Sequence, residues 1–424
     1  VQQLAVTALE QGDAGVAAQA ANALLERDPS DAAALMMRTE AALLANDFEG
    51  AVEFGRRAYW NAATPNQRFS ASRLVAFAHA QQENYTRSQV WLRLARQTAP
   101  NDEASAAVAQ DYQFLRSRNP MSVNLRFGIT PTTNVNNGSS SETTDLFDLG
   151  LPFRLNGNAQ ALSGWEIAGN ADLRYRVHSS ATSATFLNAG ISARTYRLTE
   201  NARDQAEDGV DGGDFSSATL SLGATHRFIL APDMQPTTAT LSFAQSWSAG
   251  DPDARFVTAS ARQSWELSER DTISLSGFAQ KQLAYKGDDA VTTFSATTTW
   301  ARDLENLGAF GLSVALTESQ SVDTDSVFES VKYGVSYGFP EPIMGVQLSA
   351  NVSYEDREYE TSAFAPITGR DEQTTSVSVR AVFTEIEFLG FRPVVNVEKV
   401  VRDASVALFE RDYVNVGFDI SSSF

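Results

Sequence analysis

The chain is 424 residues long and carries 52 acidic against 33 basic side chains, a formal net charge of -19 at neutral pH, with no cysteine. That excludes a disulfide scaffold, a thiolate zinc site and an N-terminal acylated cysteine on this form of the chain, and repulsion argues against nucleic-acid binding. No run of roughly 18 or more apolar residues occurs, so no transmembrane helix is expected, whereas a β-barrel needs none because only alternate residues face lipid. The chain begins Val1, Gln2, Gln3 without a basic, apolar targeting segment, so a barrel reading expects a signal peptide to have been removed.

Residues 1–118 read as helical and repetitive. Three paired-helix units superimpose, with turns at Gly12, Asp13 and Ala14, at Asn46, Asp47 and Phe48, and at Glu83, Asn84 and Tyr85. Small residues follow at Ala17, Ala51 and Ser88, and the second helices are expected to end near Pro29, Pro65 and Pro100. The spacing is 34 residues from Asp13 to Asp47 and 37 from Asp47 to Asn84, which resembles the tetratricopeptide period. An ordinary helical bundle is the alternative. A further helix over about 102–115 caps the array, and Arg116 to Pro120 form the hinge to the strand-rich remainder of the chain.

From Met121 onward the period changes to two. Val414, Val416, Phe418, Ile420 and Phe424 share one face of the last strand, against Asn415, Gly417, Asp419 and Ser421. Trp165, Ile167, Leu173, Tyr175 and Val177 alternate in the same way with Glu166, Asn170, Asp172, Arg174, Arg176 and His178. Fourteen strands are expected, at 121–130, 165–179, 184–198, 214–230, 236–247, 254–267, 272–285, 289–301, 308–318, 326–339, 343–358, 372–384, 391–402 and 412–424. Long connections at 131–164, 199–213 and 359–371 and shorter polar turns at 248–253, 286–288, 319–325 and 403–411 alternate with a second set of short ones. That asymmetry is expected of an outer-membrane barrel, with long loops outside, short turns in the periplasm and the helical part on the periplasmic side. The fold class is therefore α+β multidomain: N-terminal α-helical tetratricopeptide-like repeats (1–118) followed by a 14-stranded antiparallel transmembrane β-barrel (119–424). A large soluble all-β domain is the alternative, and it lacks a second buried face.

Enzyme chemistry finds little support. The three histidines, His79, His178 (assigned to the lumen) and His226 (assigned to the lipid side), have no metal-ligand spacing. No nucleophile elbow and no phosphate-cradling loop occur, so neither catalytic residues nor a cofactor or metal is expected. Acidic segments at 207–211 and 323–325 read as solvated outer loops, because their spacing lacks the geometry of a dedicated calcium site, with calcium binding as the alternative. The polar lumen face is expected to carry Arg126, Glu166, Asp172, Arg174, Arg176, Arg194 and Arg227, as a polar track or, the favoured reading, as groups that satisfy one another. Pro131, Asn134, Asn136 and Asn137 open the first long loop, where asparagine side chains bond to backbone and compact a loop that then narrows or plugs the lumen.

Helical repeats, a hinge, the strand Ser122, Val123, Asn124, Leu125 and then the stretch from Pro131 to Asn137 resemble the surface lipoprotein assembly modifiers, the Slam family. In that family the proline-to-asparagine segment opens the barrel in the same place, so Pro131, Asn134, Asn136 and Asn137 match its motif. The resemblance implies a translocator that helps a specific secreted or surface-exposed cargo protein across the outer membrane without covalent chemistry. Its implied partners are that cargo, outer-membrane lipids, and a periplasmic chaperone or the barrel assembly machinery. Membership of a different class, a channel or export porin for small solutes or polysaccharide with a periplasmic repeat scaffold, is the alternative, and a surface-binding barrel is the third reading.

Overall fold

The computed structural model describes every residue except Asp148, Asp233, Lys286, Asp288, Ser423 and Phe424, with backbone alone at Ser421 and Ser422. Phe424, placed by its sequence pattern on the last apolar face, and part of the expected turn 286–288 lie outside the described residues. Two compact units result: residues 1–122 with 387–391 and Ser422, and residues 123–386 with 392–421.

The first unit holds seven helices, α1 (Gln2–Glu10), α2 (Ala14–Arg27), α3 (Ala32–Leu44), α4 (Phe48–Asn61), α5 (Pro65–Gln81), α6 (Tyr85–Gln97) and α7 (Asp102–Arg118). Each packs on its neighbour in sequence, and α1 also meets α3 and α3 meets α5, so the helices stack. The three repeat turns share one geometry. Gly12, Asn46 and Glu83 take φ of +74°, +56° and +59°, and the next amide donates back to Ala8, Ala42 and His79 at 2.8, 2.8 and 2.9 Å. That left-handed closure is a Schellman turn, and it satisfies the last carbonyls of one helix while aiming the next. Asp13 and Asp47 then cap α2 and α4 by accepting from Val16 and Gly50. Ala17, Ala51 and Ser88 are fully buried at the crossings. α4 ends at Asn61, shortly before Pro65 as expected, and Pro65 itself opens α5 behind Thr64, which forms a capping box with Gln67. This unit also includes the turn 387–391, where Arg93 donates to the Leu389 and Gly390 carbonyls and Arg96 pairs with Glu387 at 3.2 Å.

The second unit is a closed antiparallel barrel of fourteen strands. In chain order they are β1 (Met121–Thr132), β4 (Gly164–Ser179), β5 (Ser183–Leu198), β6 (Ser217–Phe228), β7 (Thr237–Ser248), β8 (Asp251–Glu266), β9 (Asp271–Leu283), β10 (Val291–Asp303), β11 (Ala309–Ser321), β12 (Phe328–Gly338), β13 (Val346–Tyr359), β14 (Arg370–Phe383), β15 (Phe391–Ala404) and β16 (Arg411–Ser422). All fourteen expected strands are present, displaced at most by a few residues at their ends. The first long loop also holds a two-stranded sheet, β2 (Thr143–Asp145) with β3 (Pro152–Arg154), and the second holds a short helix, α8 (Glu200–Gln205). Neither has a periodic signal in the sequence. Residues 214–216, assigned to a strand from sequence, belong instead to a 3-10 turn and its cap, because Asp211 and Asp214 close that turn on each other's amides.

One end of the barrel carries the connections 133–163, 199–216, 249–250, 284–290, 322–327, 360–369 and 405–410, and is called here the loop end. The other, the turn end, has the shorter links and the start of β1. Large apolar side chains cover the outer wall: Leu222 is 55% exposed, Leu241 59% and Leu316 56%. Leaving each in water costs roughly 1.5–3 kcal/mol relative to burial, so this wall is built for hydrocarbon. Trp265 and Trp300 flank Ile273 across the ladder near the turn end, Trp300 meets Phe310 edge-on, and Tyr337 lies opposite Phe310. These rings form an interfacial belt, and the architecture is that of a bacterial outer-membrane barrel.

Candidate functional site

In the helical unit, α1, α3, α5 and α7 line a groove. A cavity of about 480 Å³ is bordered by Leu9, Glu40, Leu44 and Phe77. A second, of about 320 Å³, is bordered by Phe77, Arg73, Asp111, Phe114 and Leu115, so Phe77 is common to both. Leu44, Phe77 and Phe114 are exposed, and Arg73 meets Asp111 at 3.4 Å beside them. Burial raises the Glu40 carboxyl above the ordinary carboxylate range. The groove is largely apolar, with Glu40, Asn46, Gln81, Arg73 and Asp111 also in its lining, which suits an apolar segment of a partner that carries a few polar groups.

At the barrel's loop end, the asparagine segment closes on backbone. Asn134 donates to the Gly138 carbonyl and accepts its amide, both at 2.8 Å. Asn136 reaches 22 to 26 residues ahead, donating to the carbonyls of Asn158 and Gln160 and accepting from the Leu162 amide. Asn137 has φ of +50° and accepts from Arg411 at 3.1 Å. Pro131 is in β1, one residue before its end. Val135, Leu162, Leu198 and Ala202 form a small core where this loop meets the one after β5. On its other side the loop bonds to 405–410, through Ser139 to the Ala407 carbonyl and Ser141 to Glu410, and to 360–369 through Phe147. Asp325 of the β11–β12 loop extends the chain of contacts to Ser362 and Arg370. The acidic segments are thus built into the loops: Asp325 binds hydroxyl and guanidinium, and Asp211 caps its own turn. Among the described residues no His, Asp and Glu cluster is arranged to hold a metal.

Beneath this belt lies a charged lattice that sequence reading missed. Arg370 and Glu372 are 4% and 3% exposed and approach to 3.0 Å. Arg402 meets Glu372 at 3.4 Å, and the Arg370 guanidinium stands 3.7 Å from the rings of both Tyr359 and Phe409. Along β12 and β13, Glu355 is shared by Lys332 at 3.8 Å and Arg357 at 2.6 Å. Alternation does put these groups on the polar face, but only the register shows that they pair.

The seven lumen residues named from sequence are spread along the wall. Glu166 lies opposite Tyr196 near the loop end, with Arg194 two residues away on the same face. Asp172 lies opposite Gly190, where a Cβ would come within 3.1 Å of its carboxylate, so the glycine makes room for it. Arg126, Arg174, Arg176 and Arg227 belong to the half nearer the turn end. Mutual pairing, the favoured expectation, is not found for four of them: among the described residues Arg126, Arg174, Arg194 and Arg227 make no ion pair, and the register partners of Arg174, Arg194 and Arg227 include the uncharged Asn188, Ala168 and Ala184. Arg174 instead lies 3.7 Å over the Phe186 ring. His178 also departs from expectation. A register shift after Arg176 sets it opposite Thr185, whose hydroxyl meets His226 on the outer face, so the bulge turns His178 away from the lumen.

The sequence matches no protein-family model and no curated protein. Solved structures similar to it are outer-membrane proteins. One is the loop-deleted form of OmpT of Vibrio cholerae, with 12% identity and a TM-score of 0.36, covering 72% of this chain and 99% of that one. Another is the COG4313 outer membrane channel from Pseudomonas putida F1, with 9% identity and a TM-score of 0.34, covering 70% and 95%. OccAB2 of Acinetobacter baumannii shares 8% identity with a TM-score of 0.37, covering 70% and 97%. Likeness at this level is too distant to speak to substrate or partner.

Proposed function

We propose that the protein is an outer-membrane translocator that helps one specific partner protein reach the cell surface, as its resemblance to the Slam family implies. The helical unit, read as tetratricopeptide-like and periplasmic, holds the partner or a chaperone carrying it, and the barrel provides the route or assists its folding. The observation that carries this reading is the apolar groove along α1, α3, α5 and α7, with Leu44, Phe77 and Phe114 left exposed on a stacked array. Such a surface receives an apolar or extended segment, and a β-rich cargo that stays unfolded until it crosses has such segments. Long loops at one end and short turns at the end where β1 begins support the periplasmic assignment.

Two strains test it. One lacks residues 1–118 but keeps the barrel, and the other carries Phe77→Asp with Phe114→Asp in the full chain. Surface exposure of one partner should be lost in both while barrel insertion is unchanged. Normal export of every candidate partner in both would remove the reading. The competing reading, a channel or export porin for small solutes or polysaccharide, is favoured by the lumen wall of β10–β15, where a cavity of about 650 Å³ is lined by Ser336, Ser349, Asn351 and Ser378. Steady conductance of the purified protein in planar bilayers, with no partner dependence in cells, would establish it instead.

A further inference from the structure

The lumen wall of β4 to β8 has an excess of guanidinium groups near the turn end. Arg174 and Arg176 lie two residues apart on the same face of β4. Arg227 of β6 and Arg262 of β8 stand on either side of Thr238 in one register row, roughly 10 Å apart at the backbone, two strand spacings. The Arg262 guanidinium rests 3.4 Å from the Ser274 hydroxyl on the β9 side, and on such a spacing a rotamer change lets it and Arg227 reach one group between them. The floor between is neutral and donor-rich: Asn188 donates to Thr225 at 2.8 Å, and Thr225 meets Thr240 at 2.9 Å. A cavity of about 200 Å³ opens beside Arg262, Thr238 and Thr240.

Counter-charge is short here. Among the described residues, the carboxylates on this stretch of wall are Asp172, seated at Gly190, and Glu266, which accepts from Gln235. Arg174 and Arg227 make no ion pair among the described residues, and the Arg174 Nε is buried without a hydrogen-bond partner. On the opposite wall the arginines Arg357, Arg370 and Arg402 are matched by Glu355 and Glu372. The contrast is pronounced in a chain of net charge -19.

We infer that this wall is an oxyanion-binding site, taking phosphate- or carboxylate-bearing solutes that enter from the turn end. Planar, fork-shaped guanidiniums suit such groups, and the threonine and asparagine floor supplies neutral donors. The inference is independent of the translocator reading, since an anionic stretch of a cargo and a small anion meet the same wall.

The test uses the full chain in detergent, titrated calorimetrically with inorganic pyrophosphate and, in a parallel arm, with citrate. Binding is expected for at least one of the two, weakened by added salt. The double variant Arg227→Gln with Arg262→Gln should lose roughly ten- to a hundredfold in affinity, as expected for two charge-assisted contacts. Arg227→Lys with Arg262→Lys keeps the charge and should retain part of it, which separates loss of the site from loss of fold. Where the lumen conducts, a potassium chloride gradient should give an anion-selective reversal potential that the glutamine variant abolishes. No binding of either anion, salt-independent binding, or equal affinity in the glutamine variant would overturn the assignment.

Discussion

Removing the Glu372 carboxylate tests whether the lattice beneath the loops is structural. Glu372 is nearly inaccessible and faces Arg370 at 3.0 Å and Arg402 at 3.4 Å. In Glu372→Ala, Arg370 keeps Asp325 at 3.7 Å and its two aromatic neighbours, while Arg402 loses its acid. Stripping one partner from a buried pair costs about 3–5 kcal/mol, because the remaining charge stays desolvated. The aromatic rings return only part of that, at about 2 kcal/mol for a desolvated contact. Replacing both charges, as Arg370→Met with Glu372→Leu, removes the fully buried ion and leaves only the more exposed Arg402 and Asp325 without a partner, so it should cost clearly less than Glu372→Ala. Urea titration of the folded barrel in micelles, followed by tryptophan fluorescence, measures both variants. The reasoning fails if Glu372→Ala costs less than about 1 kcal/mol, or if the double variant is as unstable as the single one.

Four further outcomes are expected from the geometry. Asn136→Ala removes four bonds between side chain and backbone and should speed hydrogen exchange across 134–163 while leaving the strands protected; the local cost is about 1–3 kcal/mol. Gly55→Ala puts a methyl 2.6 Å from Val75, so the α4–α5 crossing must shift and the helical unit should melt earlier, by about 1–3 kcal/mol, in circular dichroism scans. Burial, with Arg87 and Arg56 nearby, holds the His79 imidazole below its ordinary value of 6.5 against the opposing pull of Gln82. A depressed value means the neutral ring is favoured in the folded state, so stability is complete above 6.5 and declines as pH falls below it; the helical melting temperature should fall on acidification in the wild type and less so in His79→Gln. Glu329 lies between Glu318 and Glu358 across the outer ladder, so Glu329→Gln should raise barrel stability at low salt, and an unchanged urea midpoint there would contradict the repulsion.

Strand number and facing were legible because alternation is a local property: Val331, Tyr333 and Val335 read as one face in isolation, and they are one face. Helix turns were legible for a similar reason, since Gly12, Asn46 and Glu83 each precede an Asp or Asn at the start of the next helix. Pairing across the lumen was not. Whether Glu372 meets Arg402, or Arg227 faces an alanine, depends on register, and register is a sum over turns and bulges that no single strand records. His178 shows the size of the error, because one extra residue after Arg176 moves it to the opposite side of the wall. The interior of the long loops was hidden for a different reason. Asn136 finds partners 22 to 26 residues away, a distance over which spacing carries no periodic signal.

The loop ties and the strand ladders hold the barrel by separate sets of bonds. Asn134 and Asn136 bond within the first long loop, and Ser139 and Ser141 reach the loop 405–410, whereas the ladders from β4 to β15 run through pairs such as Leu220 with Gln245 and Ala350 with Val379. Rupture of the first set therefore leaves the second intact. Arg411 belongs to both, as the first residue of β16 and the donor to Asn137, so it is the point where strain in the first loop reaches a strand. Under the proposed translocation, a segment entering from the turn end meets the arginines of β4 to β8 before the paired lattice of β12 to β16. Its passage beyond that lattice is limited by loop bonds worth about 1 kcal/mol each rather than by the far larger cost of opening the ladder.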